Sequence, residues 1–465
     1  MRREVACVAR DELDFPHDWQ GGCHDRFRVQ FLIYNTLFCA GLVALSPYYL
    51  WRMWRRGGYA KDFGQRLGAV RRATRTPLRQ GGAIWIHSVS VGETHAVKLL
   101  VERLRVLFPG VPFVWSTTTS TGYAEIQKIN LDGVVPLYYP LDFPWIIKRV
   151  LRVVRPRALI LAESEIWPNM LQILSHRNIP VALVNARISQ RSFRRYVRLG
   201  EFARRTFRQL RLVLAQDVVD LSRLEELGIP RERLHAVGSL KFDAAIPSAS
   251  NGTGAPSAWA LLAKLGIPAN APVIVGGSTW PGEEEVLIDL MKELRAEFPN
   301  LFLVLVPRHA ERSAEVAQMA KQRAVSLALR TELDHWPSGA RADCLLVNTT
   351  GELRRMYEVA TIAFVGKSLF VTEKSLQNPI EPAALAKPVI VGPHIQSFDS
   401  IVRRFLAADA MIQVQNANGL RNEIHRLLTD AAERERIGLK ARDIVEQNRG
   451  AVDRTVALLQ AEILR

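Results

Sequence analysis

Cysteine is scarce in this chain. There are four in 465 residues, at Cys7, Cys23, Cys39 and Cys344, and none forms a C-x-x-C pair. That spacing offers neither a zinc site nor a disulfide framework, and it suits a reduced, cytosolic location for the bulk of the chain. The sequence also lacks G-x-x-x-x-G-K-[ST], H-E-x-x-H and G-x-S-x-G, which removes a Walker-type phosphate loop, a zincin and a nucleophile elbow. No acid cluster of the D-x-D kind stands at a strand end, so the expected chemistry uses no metal and no cofactor. No short repeat is visible. Negative charge is in deficit: 62 Lys and Arg face 46 Asp and Glu, for a net charge of +16. The excess implies an anionic partner, which could be a membrane surface, a nucleic acid or a phosphorylated substrate.

Charge of either sign is missing altogether from Val29 to Trp51. The run is long enough to cross a bilayer core of ~30 Å at ~1.5 Å per residue. Arg26 and Arg28 flank it on one side, and Arg52, Arg55 and Arg56 on the other. No small-residue cleavage site follows, so it does not read as a signal peptide. Asn35, Gly41, Ser46 and Pro47 weaken it as a span, and Pro47 is expected to kink it. A single anchor over residues 29–56 is preferred to a helix lying in the interface, with the Arg52–Arg72 side cytoplasmic. Residues 1–28 read as an irregular tail.

What remains is globular in composition, 48% apolar and 23% charged, and too long for one core. Ala83–His87, Pro112–Ser116, Ala158–Ala162, Val181–Asn185 and Leu212–Ala215 are short, apolar and rich in β-branched residues. Each precedes a longer amphipathic stretch. Strands apolar throughout predict a parallel sheet covered on both faces. A run of Pro, Ser, Gly, Asn and Thr over residues 247–257 reads as a linker. Alternation then restarts with Val273–Gly276, Leu301–Val306, Cys344–Val347, Ile362–Val365 and Pro388–Val391. The expected fold is α/β: two Rossmann-like domains, over residues 57–246 and 258–448, with a substrate cleft between them and a terminal helix over residues 449–465.

The candidate chemistry collects where strands end. Glu93 follows the strand Ala83–His87 through His87-Ser-Val-Ser-Val-Gly92 and opens a helix. Open α/β sheets bind ligands at that edge, and a helix N-terminus favours an ionised carboxylate able to accept a proton. The same position equally suits a carboxylate that only complements the helix dipole. Glu163 and Glu165 follow Ala158–Ala162 at the same edge; paired acids there serve either a site or an ion pair. Lys241 ends the first domain, within reach of a bound phosphate or as plain surface charge. In the second domain, Arg308 and His309 end a strand, and Arg308 offers a planar donor fork for phosphate or carboxylate. Thr350, Gly351 and Glu352 open a helix whose free N–H groups suit an anion or an ordinary cap. Asn378, Pro379, Ile380 and Glu381 open another, where a glutamate can accept from ribose hydroxyls or cap the helix. Residues 187–211 carry nine arginines against one acid, Glu201, with Phe193, Val197, Phe202 and Phe207 interleaved. That surface suits anionic headgroups or is a solvated basic helix.

Taken together in order, His-Ser-Val-Ser-Val-Gly-Glu93, Glu163-x-Glu-x-Trp-Pro, Asn185-Ala-Arg, Gly238-Ser-Leu-Lys241-Phe-Asp, Pro-Arg308-His309, Gly351-Glu352-Leu and Asn378-Pro-Ile-Glu381-Pro-Ala-Ala resemble the motifs of the 3-deoxy-D-manno-octulosonic acid (Kdo) transferases. The resemblance covers the chain from about Tyr34 onward. It implies two domains of the GT-B type, held at the cytoplasmic side of the inner membrane through a single N-terminal anchor and anionic lipid. It implies transfer of Kdo from CMP-Kdo onto the lipid A precursor, lipid IVA, in lipopolysaccharide core synthesis. Glu93 then matches the general base, and Glu163 and Lys241 match positions that stabilise the transition state. Arg308, His309, Thr350, Gly351, Glu352, Asn378, Pro379, Ile380 and Glu381 match the CMP-binding segments. One departure stands out: relatives commonly carry glycines where this chain has Lys367, Ser375 and Leu376, so the loop Gly366–Gln377 is expected to hold the donor differently. Two rivals are a nucleotide-sugar epimerase of the same fold and a membrane-anchored nucleic-acid binder. The first needs no apolar run or arginine-rich helix. The second leaves carboxylates at successive strand ends unexplained, and no nucleic acid is expected as partner.

Overall fold

A computed structural model describes residues 20–56, 62–245, 257–337, 339–370 and 376–464. Most of the expected linker, most of the expected N-terminal tail and Ser375 lie outside the described residues. The chain divides into two compact units. One runs up to Val237 and is completed by the stretch from Asp453; the other runs from Gly238 to Val452.

Each unit is built on a seven-stranded, wholly parallel sheet. The first uses β1 (Ala83–His87), β2 (Phe113–Thr117), β3 (Val134–Tyr138), β4 (Pro156–Ala162), β5 (Val181–Ala186), β6 (Leu212–Ala215) and β7 (Leu234–Ala236), in the order β3-β2-β1-β4-β5-β6-β7. Its central strand, β1, is buried at every residue. The β-branched and aromatic residues that fill it suit a pleat packed on both faces. Trp85 and Trp115 are among the largest fully buried side chains. Their indole N–H groups donate to Ser116 Oγ at 2.7 Å and Ser88 Oγ at 3.0 Å, so neither burial leaves an unpaired donor. β3 went unread in the sequence because Pro136 interrupts it; a proline is tolerated there because β3 is an edge strand.

The second sheet uses β8 (Val273–Thr279), β9 (Phe302–Pro307), β10 (Leu327–Leu329), β11 (Cys344–Leu346), β12 (Ile362–Val365), β13 (Val389–Val391) and β14 (Ile412–Gln413), in the order β10-β11-β9-β8-β12-β13-β14. Gly277, in β8, lies so close to Tyr357 that a Cβ there would fall 1.9 Å from the phenol oxygen. Only glycine lets the strand and that ring share the space.

Two expectations about boundaries change. The N-terminal helix starts at Gln20 and runs through Pro47 to Arg56, so residues 20–28 are helical, not irregular. Extending an existing helix costs far less than nucleating one, and the apolar run supplies the nucleus. Lys241 belongs to the second unit, not to the end of the first. Its short helix, Leu240–Ala244, buries Phe242 against Phe405, with ring centroids 6.4 Å apart, and Asp243 accepts from Gly450 N and Val452 N at 2.7 Å each.

The stretch Val29–Tyr48 is long and apolar enough to cross a membrane, with a mean hydropathy of 1.6. Its first half is docked on the first unit. Phe31 meets Phe202 edge-on at 5.4 Å and Phe38 meets Phe143 at 5.1 Å. Tyr34 donates to Asp142 Oδ2 at 2.9 Å, and Asn169 Nδ2 donates to Asn35 Oδ1 at 2.7 Å. Leu32, Ile33, Leu37 and Val43 remain exposed.

Candidate active site

In the first sheet, β1 to β3 build outward on one side and β4 to β7 on the other. The strand order therefore reverses between β1 and β4, which opens a crevice at their carboxyl ends. Glu93 follows β1, and Glu163 and Glu165 follow β4. The sequence thus delivers three carboxylates to one switch point.

Glu93 is tied down at both ends. Ser90 caps the helix Val91–Leu107: its hydroxyl accepts from Glu93 N at 3.3 Å and donates to Glu93 Oε1 at 3.1 Å. This is a capping box. Val89 N donates to the other oxygen, Oε2, at 2.9 Å. These donors would hold the carboxyl ionised. Burial and, next, the charge of Glu163 outweigh them, and the Glu93 carboxyl is pushed up to about 7. Glu165 adds to the same repulsion. Glu93 is therefore both a cap and a group whose proton exchanges near neutrality, the range a general base needs.

The loop that carries Glu93 is held from β2. Thr117 and Thr119 each donate a hydroxyl to Val89 O at 2.8 Å. Gly122 packs beneath them; a Cβ there would lie 2.6 Å from Thr117 Oγ1. Beneath the loop, His87 is fully buried and stacked on Tyr139 at 3.9 Å, with Nδ1 within 3.1 Å of Ser116 O and 3.0 Å of Ser116 Oγ. Burial drives this imidazole down to about 3, so it stays neutral. The sequence reading passed over His87, Thr117, Thr119 and Tyr139. The threonines lie just past the strand Pro112–Ser116 as read, and no linear signal ties them to Val89.

At Glu163 the chain turns out of the sheet with φ 60. A non-glycine residue held there costs of order ~1–2 kcal/mol. Glu163 N donates to Val184 O at 3.0 Å, and Asn185 Nδ2 reaches Glu163 Oε1 at 3.5 Å. Glu165 accepts from Trp167 Nε1 at 3.0 Å, and burial raises its carboxyl.

The second unit repeats the arrangement, with its strand order reversing between β8 and β12. Arg308 and His309 follow β9 and are exposed. Arg308 N donates to Thr279 O at 3.0 Å. His309 lies 5.3 Å from the Trp280 ring, with Nδ1 3.2 Å from Glu311. Asn378 Oδ1 accepts from Ile380 N and Asn378 Nδ2 donates to Glu381 Oε1, both at 3.1 Å; Pro379 stands between them. Burial raises the Glu381 carboxyl against the pull of Asn378, Arg354 and Arg308. Glu381 and Arg308 are thus within electrostatic reach of each other. Glu352 is an ion-pair hub instead: Arg330 lies at 3.0 Å and Arg355 at 3.2 Å, and Thr349 donates to it. Gly351 turns with φ 88 beside exposed Thr350. The Lys241 ammonium sits 5.0 Å above the Phe398 ring. Among the described residues no three His, Cys, Asp or Glu side chains gather as metal ligands.

Residues 61–244 match the family described as 3-deoxy-D-manno-octulosonic-acid transferase (kdotransferase). The 3-deoxy-D-manno-octulosonic acid transferase of Bordetella pertussis is 34% identical over 91% of this chain and 98% of its own length. That of Haemophilus influenzae is 33% identical over 88% of this chain and 92% of its own. Among solved structures, S. aureus MnaA with UDP covers 82% of this chain and 96% of its own, with a TM-score of 0.55 and 14% identity. That likeness concerns the fold alone, two Rossmann-like domains of the GT-B type. The sequence relationships reach further: this chain belongs to the Kdo transferases, glycosyltransferases of lipopolysaccharide synthesis.

Proposed function

We propose that the chain transfers Kdo from CMP-Kdo onto lipid IVA with inversion, and that Glu93 is the general base. The observation that carries this reading is the Glu93 carboxyl, raised to about 7 at the β1–β4 switch point and aimed by Val89 N and Ser90. An acceptor hydroxyl attacks the anomeric carbon of Kdo and gives its proton to Glu93. The bond from that carbon to the phosphate oxygen breaks, and CMP leaves with the electron pair. The transition state has oxocarbenium character, and the negative charge of Glu163 favours it. The leaving phosphate gathers charge, which Lys241 and Arg308 offset. A nucleoside monophosphate is a good leaving group, so the chemistry calls for no metal. The donor belongs to the second unit, at Arg308, His309, Thr350–Glu352 and Asn378–Glu381.

The chain works at the cytoplasmic face of the inner membrane. The apolar helix and the exposed Arg191, Arg194, Arg195 and Arg198 support that placement; the arginines suit anionic headgroups. The test is direct: purified protein is incubated with CMP-Kdo and lipid IVA, and the lipid is weighed by mass spectrometry. A gain of Kdo mass is expected. No gain, with both substrates intact, removes the reading.

A further inference from the structure

The loop after β12 does something unusual with its backbone. Lys367 N donates to Glu283 Oε2 at 2.7 Å, and Ser368 N and Leu369 N donate to Glu283 Oε1 at 2.9 Å each. Trp280 N adds a fourth bond, to Oε2 at 2.8 Å. Successive amides that converge in this way form a nest, which elsewhere holds a ligand's anion. Here the nest is filled by the chain's own carboxylate. Glu283 is fully buried, so the amides are spent on joining β8 to β12 and none is left for a phosphate.

The positive charge at this edge comes from a side chain instead. Lys367 is in the left-handed region, with φ 57, a conformation glycine adopts freely and other residues adopt at a cost. Its ammonium lies 4.5 Å from the centroid of the Trp280 ring. Among the described residues no carboxylate pairs with it. Trp280 in turn lies 5.3 Å from the His309 ring. β12, β8 and β9 are neighbours in the sheet, so three adjacent strands deliver Lys367, Trp280 and His309 side by side at the carboxyl edge, where such sheets take their ligands. An aromatic face steadies an ammonium without neutralising it, which leaves its charge available to an incoming anion.

We propose that Lys367 is an anion-binding residue of the donor site, its ammonium steadied on Trp280 and supplying the charge that the filled amide nest no longer offers. This rests on the donor reading given above. A CMP-sugar acid carries two anionic groups, the phosphate and the sugar carboxylate, and the lysine takes an oxygen of one of them.

The full chain and its Lys367→Met and Lys367→Gly variants separate these cases. Methionine keeps the unbranched stem and the backbone conformation but not the charge; glycine relieves the backbone and removes the stem. CMP and cytidine are titrated by calorimetry, and KM is measured for CMP-Kdo. If Lys367 takes the phosphate, both variants lose about tenfold or more in CMP affinity, with cytidine binding unchanged. If it takes the carboxylate, CMP binding is unchanged and KM for CMP-Kdo rises by a similar factor. A Lys367→Met variant that matches wild type in both measurements overturns the proposal alone. So does a loss confined to Lys367→Gly, which would make loop conformation the cause. A wild-type chain that does not bind CMP overturns the donor reading, and this proposal with it.

Discussion

Glu163, at the end of β4, raises the proton affinity of Glu93, at the start of the helix after β1, across the crevice where the first sheet reverses its strand order. A pair of acids so placed divides the labour: one stays charged while the other exchanges its proton near neutrality.

The pH dependence follows from that pair. The base acts only when ionised, so kcat/KM should fall as pH drops through about 7. Removing a like charge lowers the neighbour's proton affinity. Glu163→Gln should therefore move the acid limb of the profile to lower pH, even as the maximal rate falls. A limb that stays in place, or moves up, would separate Glu163 from the titration.

Glu93→Gln should cost ~10²–10⁴-fold in turnover and leave CMP binding unchanged by calorimetry. Glutamine still completes a capping box, so the helix start survives. Stability gives a second readout. The folded carboxyl lies above its ordinary value, so its contribution to folding is present below pH ~4.5 and is lost as pH rises through about 7. The variant should melt above wild type at pH 8 and level with it at pH 4. Equal melting at both would mean that the carboxyl titrates normally.

The docked half of the N-terminal helix hangs on Asp142, which accepts from Tyr34 at 2.9 Å, Asn169 N at 3.0 Å and Met170 N at 2.9 Å. Tyr34→Phe removes one of these bonds and keeps the ring. It should weaken docking by about 1–3 kcal/mol, read as faster proteolysis of the helix in detergent. Unchanged cleavage would assign the docking to Phe31 and Phe38 alone.

The helix Gln190–Arg198 turns Phe193 and Tyr196 towards the core and leaves Arg191, Arg194, Arg195 and Arg198 exposed. Replacing the four with glutamine should remove the salt-sensitive part of binding to anionic vesicles, at up to ~1 kcal/mol per arginine. The part that persists at ~1 M salt, where screening shortens to ~3 Å, should stay, because it comes from apolar burial. If flotation at low salt is the same for the variant, these arginines do not face lipid.

The central strands could be read from the sequence because they are apolar from end to end and bounded by turns. β1, β6 and β12 lie where the pattern put them. β3, β7, β10 and β14 are interrupted by a proline or very short, and periodicity has nothing to count there. Glu93 was legible because strand, turn and helix follow one another in sequence. Its tuning by Glu163 was not, since the two come from β1 and β4, which pair only in the folded sheet. Likewise, Lys241 looked like the tail of the first domain until Phe242 was found in the core of the second unit. The filling of the β12 loop by Glu283 is a long-range event of the same kind.

The helix Ala451–Glu462 comes back to the first unit after the whole of the second. Leu459 is fully buried there; Arg454 Nε donates to Val237 O at 3.0 Å and Arg157 Nη2 to Leu464 O at 2.9 Å. During synthesis, then, the half that carries Glu93 waits. The ribosome delivers the entire second unit before the segment that seals the first has left the exit tunnel. A nascent chain stalled anywhere short of residue 453 can complete its second unit but not its first. The base would take its finished surroundings only after the second unit has been made.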